Sequence, residues 1–88
     1  MAFVDEIKKA EAEGTLVVGT KETMKAIRNG KAARVFLAKN CPDAVRKDVE
    51  HYAKLSGFSV ESVEYSNEDI GMVCKKPYSI SVVCVLKI

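Results

Sequence analysis

The chain has 88 residues, of which 48% are hydrophobic and 30% charged, and its formal net charge is +2 at pH 7. A chain of this length buries roughly 60–65% of its unfolded surface, which is enough for one core but not for a deep substrate cavity as well. No apolar run approaches the roughly 20 residues of a membrane helix, and the N-terminus lacks the hydrophobic stretch of a signal peptide. We therefore expect one soluble, cytoplasmic domain over residues 1–88, with no membrane partner.

The patterns along the chain alternate between helical and strand-like. In chain order they predict helix 3–13, strand 15–19, helix 20–30, strand 33–38, helix 42–57, strand 58–65, helix 67–74 and strand 78–88. Thr20 is a candidate cap of the second helix, and Pro42 occupies the first turn of the third, with Leu55 on its apolar stripe. Gly71 is expected to interrupt the fourth helix. The alternation predicts an α/β protein, a three-layer α/β/α sandwich around a four-stranded mixed sheet.

The cysteines and the histidine limit the possible metal chemistry. The three cysteines are an odd number without a C-x-x-C pair, and His51 is the one histidine. This argues against a disulfide framework and a zinc site, and it favours a reducing compartment. The acidic side chains Glu61, Glu64, Glu68 and Asp69 lack EF-hand spacing, so a solvated acidic face is favoured over a cation site. We predict no metal and no cofactor.

Cys41 is the strongest candidate for a catalytic residue. It stands between a strand and a helix, where the helix N-terminus, Arg46 and Lys47 could lower a thiol pKa. The C-x-x-x-x-R spacing is one residue shorter than that of a cysteine phosphatase loop, and Pro42 removes one N–H donor. No Cys–His pair can be identified either. We therefore predict no catalytic residue, and keep a thiol enzyme as an alternative.

The basic residues are concentrated in one part of the chain. Residues 19–47 carry eight Lys or Arg against two acids, whereas residues 48–70 carry one Lys against six acids. Such asymmetry indicates a basic face, and basic faces commonly bind polyanions. A chance scatter of charge around the fold is the alternative.

Two segments could form the polyanion site. In "GTKETMKAIR", Gly19 ends a strand and Thr20, Lys21 and Glu22 start a helix whose free N–H groups could bind a phosphate. Lys25 and Arg28 follow near the face of Lys21, and the Glu22 carboxylate could accept hydrogen bonds from bases. An ordinary capped helix with a solvated basic face explains these residues equally well.

The second segment, "CKKPYS", combines Lys75 and Lys76 with Pro77 and Tyr78, a composition that suits an unpaired RNA base stacked on the ring. A plain turn is the alternative. The three loops 19–22, 39–42 and 74–78 would form one surface if the sheet order brings them together.

Four ordered blocks, "GTKETMKAIRNGKA", "LAKNCP", "RKDVEHYAKLSG" and "IGMVCKKPYSISVVCVL", resemble the archaeal and eukaryotic large-subunit ribosomal protein thirty-e family. That family lies in the kink-turn RNA-binding superfamily typified by ribosomal protein seven-A-e. The resemblance covers about residues 3–86, and Lys75 departs from it by standing where glycine is usual. It implies an α/β/α sandwich that binds RNA internal loops without catalysis.

By this resemblance, Gly19, Thr20, Lys21, Glu22 and Lys25 would meet the sheared G·A pairs and adjoining backbone of a kink-turn. Two further groups would line the neighbouring loop and hold an extruded nucleotide: Asn40, Cys41, Pro42, Arg46 and Lys47, and the segment from Ile70 and Gly71 through Lys75, Lys76, Pro77 and Tyr78.

We accordingly predict a ribosome-associated protein of the large subunit that binds a kink-turn-like loop of rRNA and is a monomer when free. Its partners would be RNA and other ribonucleoprotein components. Alternatives are a kink-turn paralogue in a guide-RNA or RNase P particle or in mRNA autoregulation, and a protein-interaction module.

Overall fold

Helices and strands alternate along the chain, as the computed structural model of residues 2–87 describes it. The elements are α1 (Ala2–Glu13), β1 (Leu16–Val18), α2 (Thr20–Arg28), β2 (Ala32–Leu37), α3 (Asp43–Ser56), β3 (Ser59–Ser62), α4 (Asn67–Val73) and β4 (Val82–Leu86). Within this part of the chain, no helix is both long and apolar enough to span a bilayer.

The four strands form a mixed sheet in the order β1-β4-β2-β3. Strand β4 is antiparallel to both β1 and β2, whereas β2 and β3 are parallel. It follows that β1, β2 and β3 point the same way, so that their C-terminal ends meet the N-terminal end of β4 at one edge of the sheet. The predicted mixed sheet is confirmed.

The helices cover both faces of the sheet. The ring of Phe3 in α1 packs edge-on against Phe36 in β2, with 5.1 Å between centroids. Leu37, the next residue, points to the opposite face. On that face, the guanidinium of Arg46 in α3 donates to the hydroxyl of Ser62, which is the register partner of Leu37. Helices α1 and α4 line one cleft on the first face, and α2 contacts α3 on the second. The three-layer α/β/α arrangement is thereby confirmed.

The core lies on both faces of β2 and β4. Its largest fully buried side chains come from all three layers: Phe36, Ile7, Leu37, Ile70, Ile80, Val35, Val49, Val82 and Val83. The two central strands are therefore nearly continuous in apolar residues, as expected for strands covered on both sides.

Several predicted boundaries are wrong. Residues 78–81 are not part of the last strand, because the Ile80 N–H donates to the carbonyl of Asn67 in α4 instead of to a neighbouring strand. Strand β3 ends at Ser62, opposite Leu37, where β2 itself ends. Helix α4 runs through Gly71 without interruption.

Three predicted details of α2 and α3 also differ. Gly19 and not Thr20 is the N-cap of α2, and Pro42 is the N-cap of α3 and lies outside its first turn. Leu55 is 70% exposed, because it lies on the outer side of α3, away from buried Val49.

Candidate functional site

One edge of the sheet collects two of the three loops predicted to form one surface, 19–22 and 39–42, together with the loop after β3 and the residues that precede β4. We call this edge the loop face; it consists of residues 19–22, 38–42, 63–67 and 79–81. Backbone hydrogen bonds join its segments: the Gly19 N–H donates to Val82, and the Ala38 N–H donates to Ser81, each at 2.9 Å. The Lys39 N–H likewise donates to the carbonyl of Tyr65 at 2.9 Å. The sheet order thus places the loops after β1, β2 and β3 side by side.

A pair of asparagines fixes the middle of the loop face. The side-chain amide of Asn40 donates to the Asn67 side-chain oxygen at 3.1 Å, and its oxygen accepts the Asn67 N–H at 2.9 Å. Asn67 also accepts the Ile80 N–H through its carbonyl. Two other segments of the loop face are therefore bonded to Asn67, and the Asn40 amide is already engaged within the protein.

The start of α2 offers unpaired backbone donors. Gly19 has φ 97° and ψ 151°, and no side chain caps the helix among the described residues. The first intrahelical bond is donated by the Thr23 N–H to the Gly19 carbonyl, so the N–H groups of the preceding turn point out of the helix end. Together with the helix dipole they form a site suited to an anion.

The exposed side of α2 continues this site. Lys21, Lys25 and Arg28 are all exposed and recur at helical spacing, so they form one ridge, with Glu22 beside it. Lys21 lies at the loop face. Arg28 lies in the last turn, about 10 Å further along the helix axis, at the end remote from the loop face.

The loop between β2 and α3 holds Cys41 inside the protein. Cys41 is buried, while Pro42 and Lys47 are exposed and Arg46 is half-buried beside Ser62. Burial raises the pKa of the Cys41 thiol; Arg46 lowers it, and Asp43 raises it further. The net rise is opposite to the activation that the helix start suggested, because loss of hydration outweighs the nearby cation.

The turn after α4 is of a type that usually has glycine at its left-handed position. The Lys76 N–H donates to the Gly71 carbonyl at 2.9 Å, and the Lys75 N–H donates to the Met72 carbonyl at 3.1 Å. Lys75 has φ 59°, the only positive φ of a non-glycine residue within 2–87. This is a Schellman motif with lysine at the left-handed position. Lysine therefore adopts here the left-handed conformation that glycine adopts most readily.

The two lysines of this turn line different clefts. Lys75 lines a cleft with Lys8 and Val73, towards α1. Lys76 lines a second cleft with Glu11 and Val18. Lys76 also borders an open groove with Pro77 and with Tyr78, which is 57% exposed.

Some of the charged side chains are paired or hydrogen-bonded within the protein. The Arg34 guanidinium is paired with Glu6 and, at 3.3 Å, with Glu61. Asp69 accepts the Ser66 N–H in a capping box at the start of α4. Three residues of the predicted acidic face therefore have separate places: Glu61 is in an ion pair, Asp69 caps α4, and Glu68 lines the groove. Among residues 2–87, no three His, Cys, Asp or Glu side chains are grouped as metal ligands.

The sequence analysis did not predict Asn67 as part of the loop face, or Glu68 and Met72 as part of the groove beside Tyr78. Asn67 joins the loops, and the other two line the groove. The available signal was the spacing of Glu68 and Met72, four residues apart on one side of a short helix.

The fold and the loop face define a small α/β/α sandwich protein with a basic, uncapped helix start beside two connected loops. The chain belongs to the ribosomal protein L7Ae/L30e/S12e/Gadd45 family, whose model matches residues 1–88. It is 33% identical to the large ribosomal subunit protein eL30 of Methanothermobacter thermautotrophicus, over 90% of this chain and 81% of that protein. It is 38% identical to eL30 of Tetrahymena thermophila, over 83% and 70% of the two chains.

Solved structures share the fold. A 15.5 kD RNA-binding protein of Giardia lamblia superposes with a TM-score of 0.83 at 18% identity, covering 98% of this chain and 72% of that one. A Bacillus halodurans protein of unknown function gives 0.84 at 19% identity, over 96% and 83%.

Proposed function

We propose that this protein binds RNA as a component of the large ribosomal subunit, and that it recognises a kink-turn-like internal loop. The observation that carries the proposal is the uncapped start of α2, with Lys21 and Lys25 on its exposed side, at the loop face of a chain similar to eL30 proteins. Family membership and the names of the relatives support the ribosomal assignment.

The proposed contacts divide by chemistry. The N–H groups of Thr20, Lys21 and Glu22 and the side chains of Lys25 and Lys47 bind phosphates, which position the RNA but carry no sequence information. The Glu22 carboxylate accepts hydrogen bonds from base N–H groups of the G·A pairs, which phosphates cannot donate. Arg28 extends the basic ridge along the backbone.

The remaining predicted residues have two roles. Asn40, Pro42 and Arg46 shape the neighbouring loop, Asn40 through its bonds to Asn67 and Arg46 through Ser62. The segment from Gly71 to Tyr78 holds an unpaired nucleotide, with Lys76 and Pro77 beside the Tyr78 ring and Lys75 in the adjoining turn.

A gel-shift titration tests the proposal. A hairpin with a kink-turn should bind, and a matched hairpin whose G·A pairs are replaced by Watson–Crick pairs should bind far more weakly. The logarithm of the affinity should fall linearly with the logarithm of salt concentration, by about 0.7–0.9 per phosphate contact. Equal binding of the two hairpins would contradict the proposal.

The variant Lys25→Ala should weaken binding by about 1 kcal/mol or more and lower the salt slope by about one contact. Lys54→Ala is the matched control, because Lys54 is exposed in the last turn of α3, remote from the loop face. If both variants bind alike, the ridge on α2 does not contact RNA.

A further inference from the structure

An open groove runs between α4 and the segment that returns from it to β4. Its volume is about 400 Å³, and it is lined by Glu68, Met72, Lys76, Pro77, Tyr78 and Ser79. Met72 is 75% exposed and Tyr78 is 57% exposed, so two large side chains face solvent at the same place. Within residues 2–87, Leu55 is the other large apolar side chain that is exposed.

The backbone holds the groove in place. A Cβ at Gly71 would collide with the carbonyl oxygen of Tyr78, so the missing side chain allows the returning segment to lie against α4. The Lys76 N–H to Gly71 bond fixes one end of that segment, and the Ile80 N–H to Asn67 bond fixes the other, each at 2.9 Å. The groove is therefore formed before any ligand arrives, which lowers the entropic cost of binding.

The lining combines stacking surfaces with two opposite charges. Tyr78 offers a flat ring, and the Met72 thioether packs well against aromatic groups. Glu68 lies one helical turn before Met72 and therefore on the same side of α4. Its carboxylate only accepts hydrogen bonds, whereas the Lys76 ammonium only donates them. No ion pair joins these two groups in the described part of the chain, so both can serve a ligand.

We propose that this groove selects an unpaired guanine, with Glu68 as the residue that determines the base. The inference rests on the proposed RNA binding and adds the identity of the base. The Watson–Crick edge of guanine carries two adjacent donors, N1–H and the N2 amino group, next to the O6 acceptor. Glu68 accepts from both donors while Lys76 donates to O6, and the base stacks between Tyr78 and Met72.

The other bases match this charge pattern less well. Uracil has one donor, N3–H, between two carbonyl acceptors, so it forms a single bond with Glu68. Adenine and cytosine present a ring nitrogen acceptor beside their amino group, and that lone pair faces the carboxylate. The groove should thus prefer guanine over uracil, and uracil over adenine and cytosine.

The surrounding charge favours a nucleic acid over a cationic peptide side chain. Lys76 lines the groove itself, and Lys75 lies in the same turn. Both repel a bound Lys or Arg but attract the phosphate that accompanies a base.

The test uses kink-turn hairpins that differ only at the unpaired nucleotide, carrying guanine, inosine, uracil, adenine or cytosine. The wild-type protein should bind the guanine hairpin roughly tenfold or more tightly than the adenine or cytosine hairpin. Inosine lacks the N2 amino group and should bind several-fold more weakly than guanine.

The variant Glu68→Gln should reduce the guanine-to-cytosine preference to within about threefold, because a glutamine amide offers both an acceptor and a donor. Glu50→Gln is the control: it removes the same charge at an exposed position of α3, outside the loop face and the groove. Thermal unfolding of both variants checks that the fold is retained.

The outcomes separate the two proposals. If the hairpins bind with dependence on the G·A pairs but without base preference, or if Glu50→Gln changes the preference as much as Glu68→Gln, the guanine assignment is overturned and the proposed function stands. If no kink-turn hairpin binds, both are overturned.

Discussion

At the scale of the residue, Lys75 stands out because its backbone has a left-handed conformation that residues with a Cβ rarely adopt. Helices α1 and α2 end in the same type of turn with Gly14 and Gly30 at the left-handed position, whereas α4 ends with Lys75 at φ 59°. An L-residue there is destabilised by about 1–2 kcal/mol through the contact of its Cβ with the next carbonyl. Strain of this kind is concentrated at functional sites, and Lys75 borders the segment proposed to hold a nucleotide.

Replacing Lys75 by glycine should therefore stabilise the protein. The relieved strain is partly offset by the greater flexibility of glycine in the unfolded chain, about 0.5–1 kcal/mol, so a net gain of about 0.5–1 kcal/mol is expected in urea unfolding. Lys76→Gly is the control, because Lys76 has no positive φ; it should lose a similar amount. Stabilisation by both substitutions, or by neither, would contradict the assigned strain.

At the scale of the element, α4 and its returning segment behave as one unit. The helix has seven residues, too few to be stable alone. It is held by the capping box at Ser66, by buried Ile70, and by the carbonyls of Asn67 and Gly71, which accept N–H groups of the segment that follows. The sequence predicted that Gly71 interrupts the helix, yet its role is to admit the backbone of Tyr78.

The variant Gly71→Ala tests this role. Alanine favours a helix interior by up to about 1 kcal/mol over glycine, so a loss of stability would come from the displaced segment. We expect a loss of about 1–3 kcal/mol, as for other overpacked buried sites, with weaker binding of the unpaired nucleotide. Met72→Ala, at the neighbouring exposed position, should change stability by less than about 0.5 kcal/mol. A Gly71→Ala protein as stable as the wild type would show that the segment can move away freely.

At the scale of the whole molecule, the central strands β4 and β2 connect both helical layers, and β4 carries a buried thiol at their centre. Cys84 is fully buried, and burial raises the pKa of its thiol from 9.0 to about 11. In the unfolded chain this thiol ionises near its ordinary pKa. Below about pH 9 both states are protonated, and the thiol contributes no pH dependence.

Between about pH 9 and 11 the unfolded state releases the proton first, so stability should fall as pH rises, by up to 1.36 kcal/mol per pH unit for this group. Urea unfolding of the wild type and of Cys84→Val over this range measures the effect. The two proteins differ only at position 84, so the difference in slope reports Cys84. Parallel pH profiles would show that Cys84 is not the cause.

The order and type of the elements follow from local properties of the sequence. Helical spacing in α1, such as Phe3, Ile7 and Ala10, and the apolar runs of β2 and β4 define them, because each pattern reflects which side of an element can be buried. The basic segment 19–47 and the exposed side of α2 are visible in the same way. The family resemblance, confirmed by the match over residues 1–88, rests on the four sequence blocks.

The tertiary structure decided what depends on pairing between distant segments. Strand order brought the loops after β1, β2 and β3 to one edge, and it ended β3 opposite the last residue of β2. Contacts between α4 and its returning segment kept the helix continuous at Gly71 and created the groove at Glu68. Sequence periodicity cannot encode these features, because hydrogen bonds such as that of Asn40 to Asn67 form between residues far apart in the chain.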